Sequence, residues 1–319
     1  DFMLERIGKY KILECIADGG QGTVYRAFDP IFKRTCAVKI MNQLVTGDPG
    51  YLRALHMKTS LSTNLHHPGI VATHDCSQDS DSVYIATDYL PGSLARRMDS
   101  GKSLTNRQAV KTAHQIGRAL AYAHKHGILH GNVKPENILF SGNGSLKVSD
   151  FGIAKCMAFS RYRGSLYTRS SMFYCSPEQV SGNNMDHRSD IYSLGKLLKE
   201  MVIGTIPLSE EGILEGYSGQ MGLPGLFGDN KNLMPNSIQS VVDKATSLIP
   251  ENRYDSMGNM LSDLQKALRD LPEDLILRRQ SALKARTTNA RSSKKHRGNS
   301  TTPVSYTHLR AHETSLHLV

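Results

Sequence analysis

The sequence predicts an α+β chain with two lobes, a small strand-rich one followed by a larger helical one. Three observations carry that expectation. Strand-like stretches of alternating and β-branched residues crowd into the first 90 residues, helical periodicity dominates from residue 105 to residue 271, and no internal repeat relates the two. With 319 residues, 39% of them hydrophobic, the chain can build a sizeable core.

The elements follow in order. "KYKILECI" (9–16), "GTVYRAFD" (22–29) and "TCAVKIM" (35–41) read as three strands joined by glycine-rich or polar turns. Asp48-Pro49 places an N-cap before a proline at the first helical position, which predicts a helix from there to about Asn64. "SVYIATDYL" (82–90) returns to strand character until "PGS" breaks it. Thr105 and Gln108 make a capping box that opens a helix whose small and apolar face runs Val110, Ala113, Ile116, Leu120 and Ala123. Two short strands are expected within "ILHGNVKPENILF" and "SLKVSDFGIAK", joined by the turn "SGNGS". "SDIYSLGKLLKEMV" (189–202) is an amphipathic helix, and a last one covers Ser256 to Leu271.

Charge and cysteine usage exclude several classes. The net charge is +10, but residues 1 to 274 hold 30 basic and 28 acidic groups, whereas Leu275 to Pro303 holds eight basic residues and no acid. The body is close to neutral, so no nucleic-acid partner is expected. Five cysteines without any C-x-x-C pair suggest neither a zinc knuckle nor a disulfide framework and fit a reduced, cytoplasmic setting. His124, His126 and His130 have no metal-like spacing, and Met41, Met57 and Met98 read as core filling. No apolar run approaches the roughly 20 residues that span a bilayer, and the start lacks signal-peptide grading.

Six stretches carry the chemistry: "IADGGQGTVY", "AVKI", "HGNVKPEN", "SDFG", "YCSPE" and "SDIYSLG". In this order and spacing they resemble the signature set of the eukaryotic-like Ser/Thr protein kinases of bacteria. Small-molecule phosphotransferases also use an H-G-D type of loop, but "SPE" followed by "SDIYSLG" disfavours them. The resemblance implies a bilobal protein-kinase fold over residues 9–271, with an N-lobe at 9–87 and a C-lobe at 92–271, and it implies ATP and Mg²⁺ as ligands.

It also assigns expected roles. Gly19 and Gly22 match the second and third glycines of the phosphate-covering loop, where the missing Cβ lets backbone N–H groups approach the nucleotide; Ala17 replaces the first. Lys39 matches the lysine on the α- and β-phosphates, Val24, Ala37 and Leu139 are further nucleotide-binding positions, and Thr87 is the gatekeeper ahead of the hinge residues Asp88 and Tyr89. Asn137 and Asp150 match the two Mg²⁺ ligands, oxygen donors of the kind that ion takes. Lys134 matches the lysine that neutralises the transferring phosphate and marks Ser/Thr specificity. His130, Phe151 and Gly152 are structural members of the loop and of "DFG"; Glu178 and Arg253 match a buried ion pair, and Asp190 a brace for the loop.

Three departures matter. The helix glutamate that holds the lysine in the family falls on Lys58, and no glutamate occurs between Glu14 and Glu136. Gly131 replaces the arginine that would bind a phosphorylated activation segment. Asn132 replaces the catalytic aspartate; an amide has nearly the same shape but cannot act as a base. Two readings follow from the resemblance. The first is a pseudokinase that binds Mg·ATP and signals by conformation or through a regulatory protein partner; the second is a slow Ser/Thr kinase that phosphorylates protein substrates, with Lys134, Lys39 and the metals doing most of the catalysis. A scaffold that binds no nucleotide is disfavoured by Lys39, Asn137 and Asp150.

Residues 272–303 read as a basic disordered linker or tail. Val304 to Thr314, "VSYTHLRAHET", matches the translation of a transposase sequencing adapter, so 304–319 is taken as adapter-derived. Any membrane connection would come through natural sequence following Pro303.

Overall fold

The computed structural model describes residues 4–42, 52, 53, 55, 59, 62–99, 104–152, 169–204 and 234–273. Six antiparallel strands form the first sheet: β1 (Arg6–Ile7), β2 (Tyr10–Gly19), β3 (Gly22–Asp29), β4 (Arg34–Met41), β5 (Thr73–Asp79) and β6 (Ser82–Asp88). Their spatial order is β1-β2-β3-β4-β6-β5.

Period-2 alternation decides which face is covered. Ala27, Cys36, Val38, Tyr84 and Ala86 point one way and pack with Ile7 and Tyr10 into a small buried cluster. Register puts Val24 opposite Lys39, Lys39 opposite Ile85, and Ala37 opposite Thr87, so these side chains share the other face. That face is the one left for a ligand.

After the sheet come β7 (Gly92–Ser93), α1 (Leu94–Asp99) and α2 (Asn106–Lys125). The capping box at Thr105 and Gln108 is formed from both sides, and Val110, Ala113, Ile116, Leu120 and Ala123 are all fully buried. Short strands β8 (Ile138–Phe140) and β9 (Leu146–Val148) pair antiparallel, with β7 on the far side of β8. The helices α3 (Arg169–Tyr174), α4 (Pro177–Val180), α5 (His187–Ile203), α6 (Asn236–Ala245) and α7 (Met257–Asp270) complete the larger core, into which Ile138, Val148 and Phe151 also pack. Helix α5 is buried along most of its length, polar residues Ser189, Asp190 and Ser193 included.

Of the helix expected from Asp48 to Asn64, residues 52, 53, 55, 59 and 62 are helical, and Lys58 and Met57 lie outside the described residues. The segments 153–168 and 205–233, and everything after residue 273, lie outside them as well, so the expectations for the tail from 274 to 303 and for the adapter-like end fall there. No helix among the described residues is long and apolar enough to cross a membrane.

Candidate functional site

The site is built where the open face of the sheet meets the loop between α2 and β8. Tight turning at the end of β2 brings Gly19 opposite Gly22. Gly22 adopts φ +140°, and a Cβ there would sit 2.0 Å from the Ile40 carbonyl oxygen, so β3 can approach β4 at this point only as glycine. Gly19 is different: a Cβ on it would meet nothing within 4 Å, so packing within the chain does not demand glycine there.

Lys39 projects from β4 with its side chain 12% exposed. Its Nζ donates to Asp150 Oδ2 at 2.7 Å and to Gln21 Oε1 at 2.9 Å. Asp150 sits just past β9 with φ +63°, a left-handed conformation that a non-glycine residue holds only when its surroundings over-determine it. Burial works most strongly against its charge, yet the Lys39 ammonium, its hydrogen bond, His130 and Lys134 together keep the carboxyl below the usual range.

The loop that carries Asn132 is held from behind. Asp190, on α5 and fully buried, accepts from the backbone N–H of His130 at 2.9 Å and of Gly131 at 2.7 Å, and His124 Nε2 lies 2.7 Å from it. Gly131 has φ +73°, which glycine adopts without the steric cost that any side chain would add. The Asn132 N–H donates to His130 Nδ1 at 3.1 Å, and the Asn132 carbonyl accepts from Asn137 Nδ2 at 2.9 Å. That bond takes the amide nitrogen of Asn137 and leaves its oxygen, with the second oxygen of Asp150, as hard donors suited to a magnesium ion. The His130 ring, fully buried, packs on Phe151 with centroids 4.8 Å apart, and burial lowers its pKa against the pull of the Asp190 and Asp150 carboxylates. Lys134, 14% exposed, lies 4.0 Å from Glu136; burial lowers its pKa despite that carboxylate.

At the hinge, the Asp88 carboxylate is already engaged. His74 Nε2 lies 2.8 Å from Oδ1 and Lys147 donates to Oδ2 at 3.1 Å, and these partners, His74 foremost, hold the carboxyl down at about 2. Any contact of Asp88 with a purine base would therefore fall to its main chain. Tyr89 carries the Arg26 guanidinium 6.0 Å above its ring, and Leu139 pairs with Ser93 on one side and Lys147 on the other. Away from the site, Arg253 makes a two-pronged pair with Glu178, at 2.7 and 2.8 Å, while Ser189 donates to the same carboxylate at 2.7 Å.

The structure thus brings Lys39, Asp150, Asn132 and Asn137 into one region and sets Asp190 behind them. Phe151 and Gly152 follow Asp150 directly, and both are buried. Four residues take roles that the sequence does not assign them. His124 had no local signal, because its partner Asp190 is 66 residues away. His74 and Lys147 are joined to Asp88 only through the fold. Gln21, at the loop tip, carried no motif identity.

A family model described as "Protein kinase domain" matches residues 10–263. The chain belongs to the protein kinase family. Among relatives of this kinase domain, the serine/threonine-protein kinase PrkC of Bacillus subtilis is 32% identical over 267 residues, covering 82% of this chain and 40% of that protein. A probable serine/threonine-protein kinase of Clostridium perfringens, CPE1738, is 33% identical over 266 residues, covering 82% and 38%. The kinase domain therefore spans well under half the length of these relatives. Its fold is that of the Mycobacterium tuberculosis PknI kinase domain, with a TM-score of 0.67 over 83% of this chain and 99% of the other at 22% identity. The bilobal α+β architecture expected from the motifs is the one observed.

Proposed function

We propose that this kinase domain binds Mg·ATP between the open sheet face and the Asn132 loop and acts in signalling chiefly as a pseudokinase, through a regulatory protein partner. The observation that supports it is the pairing of an intact Lys39–Asp150 ion pair, 2.7 Å long, with asparagine at the position of the base. Bound ATP would bring the transferable γ-phosphoryl group; Lys39 would hold its phosphates, while Asn137 and Asp150 would hold Mg²⁺ through their oxygens. Val24, Ala37 and Leu139 flank the face where the base would lie, and Gly19, unconstrained by packing, leaves backbone N–H groups approachable by phosphate. Asn132 can position a hydroxyl by hydrogen bonding but cannot remove its proton.

The second reading is a slow Ser/Thr kinase acting on proteins, favoured by one feature, the largely buried Lys134 two residues beyond Asn132. Positioning and electrostatics can carry part of the acceleration without a base. Under both readings the domain works on the cytoplasmic side, and Cys15, Cys36, Cys76 and Cys175, thiols rather than disulfide halves, support a reducing setting.

Titration of the purified chain with Mg·ATP, followed by time-resolved phosphate transfer to itself and to a generic basic protein, decides between them. Saturable binding with transfer no faster than an Asp150→Ala blank is the expected result. Transfer clearly above the blank establishes the slow kinase, and absence of binding overturns both.

A further inference from the structure

We propose that Gln21 is the positioning residue for Lys39, supplying from the phosphate-covering loop the hydrogen-bond acceptor that a helix glutamate supplies elsewhere in the family. This rests on the nucleotide-binding reading above. A lysine ammonium on a flexible four-carbon stem is directed only by its acceptors. Among the described residues Lys39 donates to Asp150 Oδ2 at 2.7 Å and to Gln21 Oε1 at 2.9 Å, and together these fix the line along which Nζ points.

The surrounding sequence offers no substitute glutamate. None occurs between Glu14 and Glu136, and of the aspartates in that interval Asp18 bonds to Thr23, Asp75 to Tyr10 and Lys9, Asp79 to the Gly8 N–H, and Asp88 to His74 and Lys147. Gln21 is itself anchored. The Asn42 N–H donates to its carbonyl at 3.1 Å, tying the loop tip to the end of β4, three residues beyond Lys39.

A neutral acceptor has a consequence that a carboxylate would not. It orients the ammonium without neutralising it, so the whole positive charge of Lys39 stays available to Asp150 and to incoming phosphates.

The test is calorimetric titration of the natural chain, Gln21→Met and Gln21→Glu with Mg·ATP and, separately, with adenosine, which has no phosphate for Lys39 to hold. Methionine keeps the length of the side chain and removes the amide, its acceptor and its donors together, and the Gln21→Glu variant restores the acceptor alone. Gln21→Met is expected to weaken Mg·ATP by about 3- to 10-fold, the worth of one directed hydrogen bond, and to leave adenosine unchanged. Gln21→Glu should retain Mg·ATP binding tighter than Gln21→Met. Equal Mg·ATP affinity in Gln21→Met and the natural chain overturns the proposal, as does a parallel loss for adenosine or a Gln21→Glu as weak as Gln21→Met. A natural chain that binds adenosine but gains nothing from the phosphates also overturns it, whereas one that binds neither overturns the nucleotide reading itself.

Discussion

Lys39 Nζ on β4 lies 2.7 Å from Asp150 Oδ2 just beyond β9, an ion pair between residues 111 apart in the chain. Its two side chains are 12% and 22% exposed, so solvent screens the pair only in part. Lys39→Met removes the ammonium that faces both Asp150 and any phosphate that enters. Mg·ATP affinity is expected to fall by about 10- to 100-fold, the range for a hydrogen bond to a charged group. Isothermal titration reads this directly, and a change smaller than about twofold would mean that Lys39 does not meet the phosphates.

Asn132→Asp tests whether the loop is otherwise competent. The backbone at this position is held by contacts that the substitution does not touch, the N–H on His130 Nδ1 and the carbonyl on Asn137 Nδ2. An aspartate of the same shape then presents a carboxylate where a base belongs. Phosphate transfer to a generic basic protein is expected to rise by about 10²- to 10⁴-fold over the natural chain. A variant that stays at the level of Asp150→Ala would place the defect elsewhere, with the lysine at position 58 the first suspect.

How much of this was legible in the sequence depended on how local the signal was. Gly22, Lys39, Asn132 and Asp150 stand in motifs whose neighbours fix their identity, and the strands beneath them alternate plainly. β5 does not: "THDCSQD" has no apolar alternation, and its place is set by a main-chain ladder to β6, available to almost any sequence. α6 was readable, since Ile238, Val241, Val242 and Ala245 fall at helical spacing and are buried, but no motif drew notice to it. The bonds of His124 to Asp190 and of His74 to Asp88 join residues far apart in sequence, and no spacing announces them.

The Glu178–Arg253 pair sets an acid limit on the fold. Arg253 has a fully buried side chain, and its guanidinium also lies 4.9 Å from the centre of the Tyr192 ring. Burial of Glu178 opposes its charge, but the bonds from Arg253 and Ser189 win and depress its carboxyl to about 2. A depressed carboxyl stabilises the folded state fully above its unfolded pKa and loses that contribution as pH falls through its folded value. Thermal stability should therefore fall between about pH 4.5 and pH 2, by about 3 kcal/mol from this group alone. Arg253→Met strands a largely buried carboxylate and should cost about 3–5 kcal/mol at neutral pH, read by urea denaturation, with a weaker acid transition.

Gly19 and Gly22 look alike in the sequence and should respond differently to the same substitution. At Gly22 an alanine meets the Ile40 carbonyl at 2.0 Å in a backbone conformation with φ +140°, so β3 or β4 must shift. Gly22→Ala is expected to lower stability by at least about 1–3 kcal/mol, the range for a residue forced into a sparsely populated conformation. At Gly19 the same methyl group meets nothing within 4 Å. Gly19→Ala should leave the denaturation midpoint of the unliganded chain within about 0.5 kcal/mol of the natural one while weakening Mg·ATP, because the only approach it obstructs is that of a ligand to the backbone. Loss of stability at Gly19 would assign that glycine to the fold. Loss of neither stability nor affinity would leave the loop without a phosphate to cover.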